Sequence, residues 1–141
     1  MPYQASWHVV HKVMEARFWG KVSLEDTDHH TEACVRMLTE AQNHNPTEMV
    51  YLLLDALEAE NFPPLYQLFA RNGRVLKFKN RGPMFAITRD SAIKSIFEVT
   101  AYMTREHVPF RLFSERQDAI DALEGYLASD AQRAAQDRDQ T

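Results

Sequence analysis

The sequence predicts an α/β domain with elements in the order ββαβαβαβα, its parallel strands joined by crossover helices and one antiparallel edge. Three observations carry this reading. The run Met49-Val50-Tyr51-Leu52-Leu53-Leu54 is apolar almost without interruption and closes on Asp55, the pattern of a strand buried on both faces. After an N-terminal hairpin, strand-like and helix-like segments alternate strictly. Between the strands, apolar residues recur at spacings of three and four, as on a helix with one core-facing stripe.

Bulk properties narrow the class. A chain of 141 residues suits one domain with one core. A hydrophobic content of 45% against 26% charged residues excludes a disordered chain, and no apolar run approaches the ~20 residues of a membrane-spanning helix. Met1-Pro2-Tyr3-Gln4 has neither the basic nor the apolar region of a secretory signal. One cysteine excludes an internal disulfide framework, so a cytoplasmic setting is expected.

Residues 1–6 read as a flexible leader, and the domain as residues 7–128. Trp7–Val10 and Val13–Trp19 form the hairpin around His11-Lys12; in the second strand Met14, Ala16 and Phe18 alternate with Val13, Glu15 and Arg17. Gly20 breaks it. Ser23 caps a helix that opens with Glu25 and Asp26 and buries Ala33, Cys34, Met37, Leu38 and Ala41. Pro46 ends that helix and the buried strand 49–55 follows. Asn61-Phe62-Pro63-Pro64 opens a helix to about residue 80, weakened by Gly73, with Leu65, Leu68, Phe69 and Leu76 on its apolar face.

Gly82-Pro83 turns the chain into strand Met84–Thr88. Asp90 caps a helix carrying Ile93, Ile96 and Phe97. Val108–Phe113 is the last strand, placed by Pro109 near an edge. Ser114 and Gln117 read as a capping box for a helix with core face Ala119, Ile120, Leu123 and Leu127. From Ser129 the chain lacks large apolar residues, and residues 129–141 are expected to fray.

These residues resemble a known family. The buried strand ending in Asp55, the strand Met84–Thr88, the helix entry Asp90-Ser91-Ala92-Ile93-Lys94-Ser95-Ile96-Phe97 and the close Phe110–Leu123 are similar to the STAS domains, the anti-sigma-factor antagonists and their relatives. The resemblance implies a small interaction module with a mixed four- to five-stranded sheet and helices packed on it. In its phosphorylatable members the aspartate is followed closely by a serine or threonine that a partner kinase modifies. Asp55 matches the aspartate, but Ala56, Leu57 and Glu58 stand where the hydroxyl would be. The phosphoswitch is therefore not carried over.

Other chemistry finds little support. His29, His30 and Cys34 could present soft ligands on one helix face, but His44 is too distant to complete a zinc site, and no metal is expected. Cys34 lies on the apolar stripe and reads as a small hydrophobe rather than a nucleophile. Glycines at 20, 73, 82 and 125 cannot assemble a dinucleotide or phosphate loop, so no cofactor is expected.

Charge supplies one more surface. Arg71, Arg74, Lys77, Lys79, Arg81 and Arg89 lie in the segment 61–89, which holds no acidic residue. The stripe Arg71 to Arg81 could meet an anionic ligand or a membrane surface.

The reading is a non-enzymatic regulatory module with a protein partner and no specific nucleic acid. Its working edge is Asp55, Glu58, Asn61, Arg89, Asp90, Ser91 and Ser114, where helix N-termini would offer free amides. One alternative is a small-ligand or lipid sensor with an apolar pocket between sheet and helix and the basic stripe as its membrane-facing side. Another is an enzyme using Asp55 and Glu58 as acid and base. An exposed strand edge and the aromatic Trp19 leave room for a homodimer.

Overall fold

In a computed structural model of the protein, five strands pair in the order in which they occur along the chain. The structure describes residues 3–64, 67, 75, 78–104 and 109–139. Strand β1 (Tyr3–Val9) runs antiparallel to β2 (Val13–Lys21). β2, β3 (Val50–Asn61), β4 (Arg81–Ile87) and β5 (Phe110–Phe113) are mutually parallel. Helices α1 (Leu24–His44), α2 (Ser91–Thr104) and α3 (Arg116–Asp139) follow β2, β4 and β5.

The hairpin closes through a turn in which the Lys12 amide donates to the Val9 carbonyl at 3.0 Å. His11 takes the left-handed conformation there, with φ 62°. Side-chain alternation then sorts the sheet into two layers. Met14, Ala16, Phe18, Leu52, Leu54, Met84 and Ala86 pack under Cys34, Met37, Leu38 and Ala41 of α1 and Ile93 and Phe97 of α2. Val13, Tyr51, Leu53, Phe85 and Ile87 face the opposite way, against Ala119 and Leu123 of α3. The continuous apolar run of β3 follows from this, since each of its faces meets a helix layer.

The element boundaries depart from expectation in several places: Gly20 stays within β2 and Gly82-Pro83, expected as a turn, lies inside β4. The leader is half strand: β1 begins at Tyr3, where Tyr3, Ala5 and Trp7 lean on the α1 layer and Gln4, Ser6 and His8 are exposed. β3 does not end at Asp55 but continues to Asn61, because β2 also extends and pairs Trp19 with Glu58, Gly20 with Ala59 and Lys21 with Asn61. The sheet overrides the helix-forming composition of Ala56-Leu57-Glu58-Ala59-Glu60.

The tail differs as well. Residues 129–139 continue α3, although residues 131–137 are all exposed; Ala131, Arg133, Ala134, Ala135 and Gln136 are good helix formers, and Asp130 and Arg133 pair along the surface. Finally, α3 starts at Arg116, so no Ser114 capping box forms, and Gln117 donates to Asp121 instead at 2.9 Å. The helix expected between residues 61 and 80 lies mostly outside the described residues.

Gly82 is fixed by contact. A Cβ there would stand 2.8 Å from the Val50 carbonyl oxygen and 3.3 Å from the Met49 Cβ. Backbone cannot yield as a flexible side chain does, so Gly82→Ala is expected to destabilise the fold by about 2 kcal/mol, read as a lowered urea midpoint at unchanged slope.

Candidate functional site

Because β2 to β5 are parallel, the N-termini of α1, α2 and α3 all lie at the sheet edge formed by the carboxyl ends of these strands. This is the edge at which open α/β sheets build their sites. The chain occupies much of that edge itself. At α1, the Ser23 hydroxyl accepts from the Asp26 amide at 3.2 Å while the Asp26 carboxylate accepts from the Ser23 amide at 2.8 Å. At α2, Asp90 Oδ1 accepts from the amides of Ala92 and Ile93 at 2.9 and 3.0 Å. The Thr88 hydroxyl accepts from the Asp90 amide at 3.1 Å. The free amides expected to suit an anion are therefore engaged at both helices.

Asp55 is not on a loop. It is 4% exposed within β3, and its side chain faces the α3 layer in phase with Tyr51 and Leu53. Oδ1 accepts from the Leu57 amide at 3.1 Å, and Oδ2 from Arg116 Nη1 at 2.8 Å. The same Nη1 lies 2.6 Å from Glu15 Oε1, and Glu15 Oε2 lies 3.7 Å from His8 Nδ1. One guanidinium at the first turn of α3 thus ties together β2, β3 and α3. The Glu15 contact, opposed by partial burial and reinforced by Asp55, raises the Arg116 pKa above its ordinary value.

Two members of this clamp, Glu15 and Arg116, were not among the sequence-predicted site residues. A signal for each exists. Glu15 is in phase with fully buried Val13, and an acid in a core-facing register needs a partner. Arg116 puts a cation at the positive end of a helix dipole, which is unfavourable unless acids hold it there.

The other predicted residues divide. Glu58 and Asn61 are exposed on the β3 extension, and Arg89, Asp90, Ser91 and Ser114 are exposed beyond β4 and β5. Arg89 Nε donates to the Ser114 carbonyl at 3.0 Å and its Nη2 lies 2.9 Å from Glu115 Oε1, so Arg89 bridges the two loops. Asp55 is drawn away from this group into the clamp. It shares no acid–base arrangement with Glu58, which is solvent-exposed.

Arg71, Arg74 and Lys77 lie outside the described residues. Lys79 is exposed, but Arg81 is 3% exposed and points inward, because β4 begins at that residue. Trp19 is 37% exposed at the end of β2.

His30 and Cys34 meet on α1, Cys34 Sγ lying 3.4 Å from His30 Nε2. The rings of Phe18 and Tyr3 stand 5.2 and 5.7 Å from the imidazole. Burial pulls His30 down to about 4 and pushes the Cys34 thiol up to about 12, so both are neutral near pH 7. Among the described residues no group of three or more His, Cys, Asp or Glu converges on a metal position.

The depressed His30 has a consequence for stability. Between about pH 4 and 6.5 the unfolded chain binds a proton at this residue that the native chain refuses, so stability falls as pH falls through that window. His30→Leu is expected to remove about 2 kcal/mol of this dependence, measured as the difference in unfolding free energy between pH 7 and pH 4.5.

No family model matches the chain, and no curated protein does. Solved structures show its fold. An uncharacterized protein of the DUF3478 family with a SpoIIAA-like fold, from Shewanella loihica PV-4, is 19% identical with a TM-score of 0.58, covering 86% of this chain and 91% of the other. The anti-sigma factor antagonist SpoIIAA in its unphosphorylated form is 12% identical, with a TM-score of 0.57 and coverage of 87% and 96%. An anti-sigma factor antagonist from Mycobacterium paratuberculosis is 16% identical, with a TM-score of 0.54 and coverage of 86% and 92%. The fold is therefore SpoIIAA-like, the architecture that the STAS resemblance implied. No helix among the described residues is long and apolar enough to cross a membrane.

Proposed function

We propose that this protein is a non-enzymatic regulatory module that binds a protein partner through the edge formed by Glu58, Asn61, Arg89, Asp90, Ser91 and Ser114, without a phosphoswitch beside Asp55. The observation that carries the reading is the engagement of Asp55. Its two oxygens are satisfied by Leu57 and Arg116, and the residues that continue the strand after it, Ala56 to Asn61, include no hydroxyl. A carboxylate so held is a structural tie, whereas the polar side chains beyond β4 and β5 face solvent.

Two of the structurally similar proteins are anti-sigma factor antagonists, which supports a partner of the regulatory class. The partner would meet a rigid edge, since Arg89 cross-links its two loops.

Photo-crosslinking from a benzoylphenylalanine placed at Ser91 tests this in cells that express the chain. The expected result is one dominant protein adduct, weakened at least tenfold by Arg89→Glu combined with Glu58→Lys, and unaffected by Val10→Lys in the exposed turn between β1 and β2, at the other end of β2. An adduct pattern unchanged by the double substitution would sink the assignment of this edge.

A further inference from the structure

The two edges of the sheet are guarded unequally. An edge strand offers unpaired amides and carbonyls to other strands, and short length, proline and charged side chains are the usual protections. At one edge, β5 has all three. It spans only Phe110–Phe113, it is entered from Pro109, and its exposed Arg111 holds the guanidinium carbon 5.1 Å from the centre of the Phe113 ring. At the other edge, β1 has none of them along Tyr3-Gln4-Ala5-Ser6-Trp7, a run without a charged residue, proline or glycine.

β1 pairs with β2 in regular register from Tyr3 opposite Phe18 to Trp7 opposite Met14, then slips so that Val9 meets Val13. Met14 belongs to the α1 layer and Val13 to the α3 layer, so the slip carries Val9 to the face opposite Trp7. The straight part of the edge is therefore Tyr3–Trp7. Along it Tyr3, Ala5 and Trp7 are half-buried on the α1 side, while Gln4 and Ser6 are exposed on the other.

This run is complementary to itself. When two copies pair antiparallel, apolar side chains stay opposite apolar ones only if the two-fold axis passes through a residue rather than between two. An axis through Ala5 uses the whole straight run. Tyr3 of each copy then lies opposite Trp7 of the other, Gln4 opposite Ser6, and Ala5 opposite itself. Aromatic cross-strand pairs are favourable, and no like charges oppose each other. An axis through Ser6 would set Tyr3 against Val9, which the slip has moved to the wrong face.

We propose that the protein forms a symmetric homodimer through its β1 edges, paired antiparallel about Ala5, so that one sheet runs through both copies. The contact is isologous. It consumes the unguarded edge and leaves the guarded β5 outermost, so assembly closes at two copies. The inference does not depend on the partner edge proposed above.

Sedimentation velocity of the full chain over a concentration series tests this, alongside two double variants at the exposed positions. Gln4→Lys with Ser6→Lys sets like charges opposite each other across the axis, whereas Gln4→Glu with Ser6→Lys sets opposite charges there. The expected result is a reversible monomer–dimer equilibrium for the wild type with no larger species. The dissociation constant should rise roughly tenfold in the first variant and stay near the wild-type value in the second. Hydrogen exchange of the wild type should show protection between Tyr3 and Trp7 that increases with protein concentration.

A wild type still monomeric at about 0.5 mM, species larger than the dimer, or equal dissociation constants for the two variants would each overturn the proposal. Should a variant fail to fold, hydrogen exchange of the wild type decides on its own, because association without added protection in β1 places the contact elsewhere.

Discussion

Phe85→Ala is expected to destabilise the protein by about 3–5 kcal/mol, the largest effect of any single truncation at the sheet. Phe85 is fully buried at the centre of β4, and its ring lies 6.2 Å from Phe113, 5.4 Å from Tyr126 and 6.4 Å from Tyr51. It therefore joins β3, β4, β5 and α3 in one aromatic cluster. Truncation removes buried apolar area and leaves a cavity that strands fixed by ladder hydrogen bonds cannot close. Urea unfolding should show a lower midpoint at unchanged slope, and near-ultraviolet circular dichroism should lose intensity. A loss below 1 kcal/mol would mean that the α3 layer repacks freely, contrary to the packing described.

Arg116→Met is expected to cost about 3 kcal/mol. Breaking a buried pair from one side leaves the other charge uncompensated, for which 3–5 kcal/mol is usual. The lower end applies because the Arg116 side chain is 35% exposed, whereas Asp55 and Glu15 are 6% and 12%. The triple variant Arg116→Met, Asp55→Asn, Glu15→Gln should recover much of the loss, since it removes the stranded carboxylates as well. If the single and triple variants unfold at the same urea concentration, the clamp does not act as an electrostatic unit. The single variant should also weaken the partner edge, because Arg116 fixes the start of the helix whose preceding residues, Ser114 and Glu115, hold Arg89.

The α/β class was legible because burial of β3 on both faces leaves a periodicity that no local competitor imitates. Ser23 and Asp90 were legible for a similar reason: their cap bonds span three residues or fewer. What escaped were decisions made at a distance. Arg116 meets Asp55 across 61 positions, and no local pattern announces the pairing.

The continuation of β3 past Asp55 was concealed by Ala56-Leu57-Glu58-Ala59-Glu60, residues that favour helices but are recruited by the extended β2. The inward turn of Arg81 depends on a bulge, which composition does not record. The early start of β1 is different. The alternation of Tyr3, Ala5 and Trp7 with Gln4, Ser6 and His8 was present in the sequence.

The two layers also differ in when they can form. Helices α1 and α2 are made from the first hundred or so residues, but the opposite face is covered by α3. A chain still emerging from the ribosome therefore completes its strands before it owns the helix that shields Val13, Tyr51, Leu53, Phe85 and Ile87. Until α3 is released, that bare apolar surface is a binding site for chaperones and a nucleus for aggregation. Nascent chains whose residues from Arg116 onward are still enclosed by the ribosome should be retained by such factors, while those with Leu127 already outside it should fold free of them.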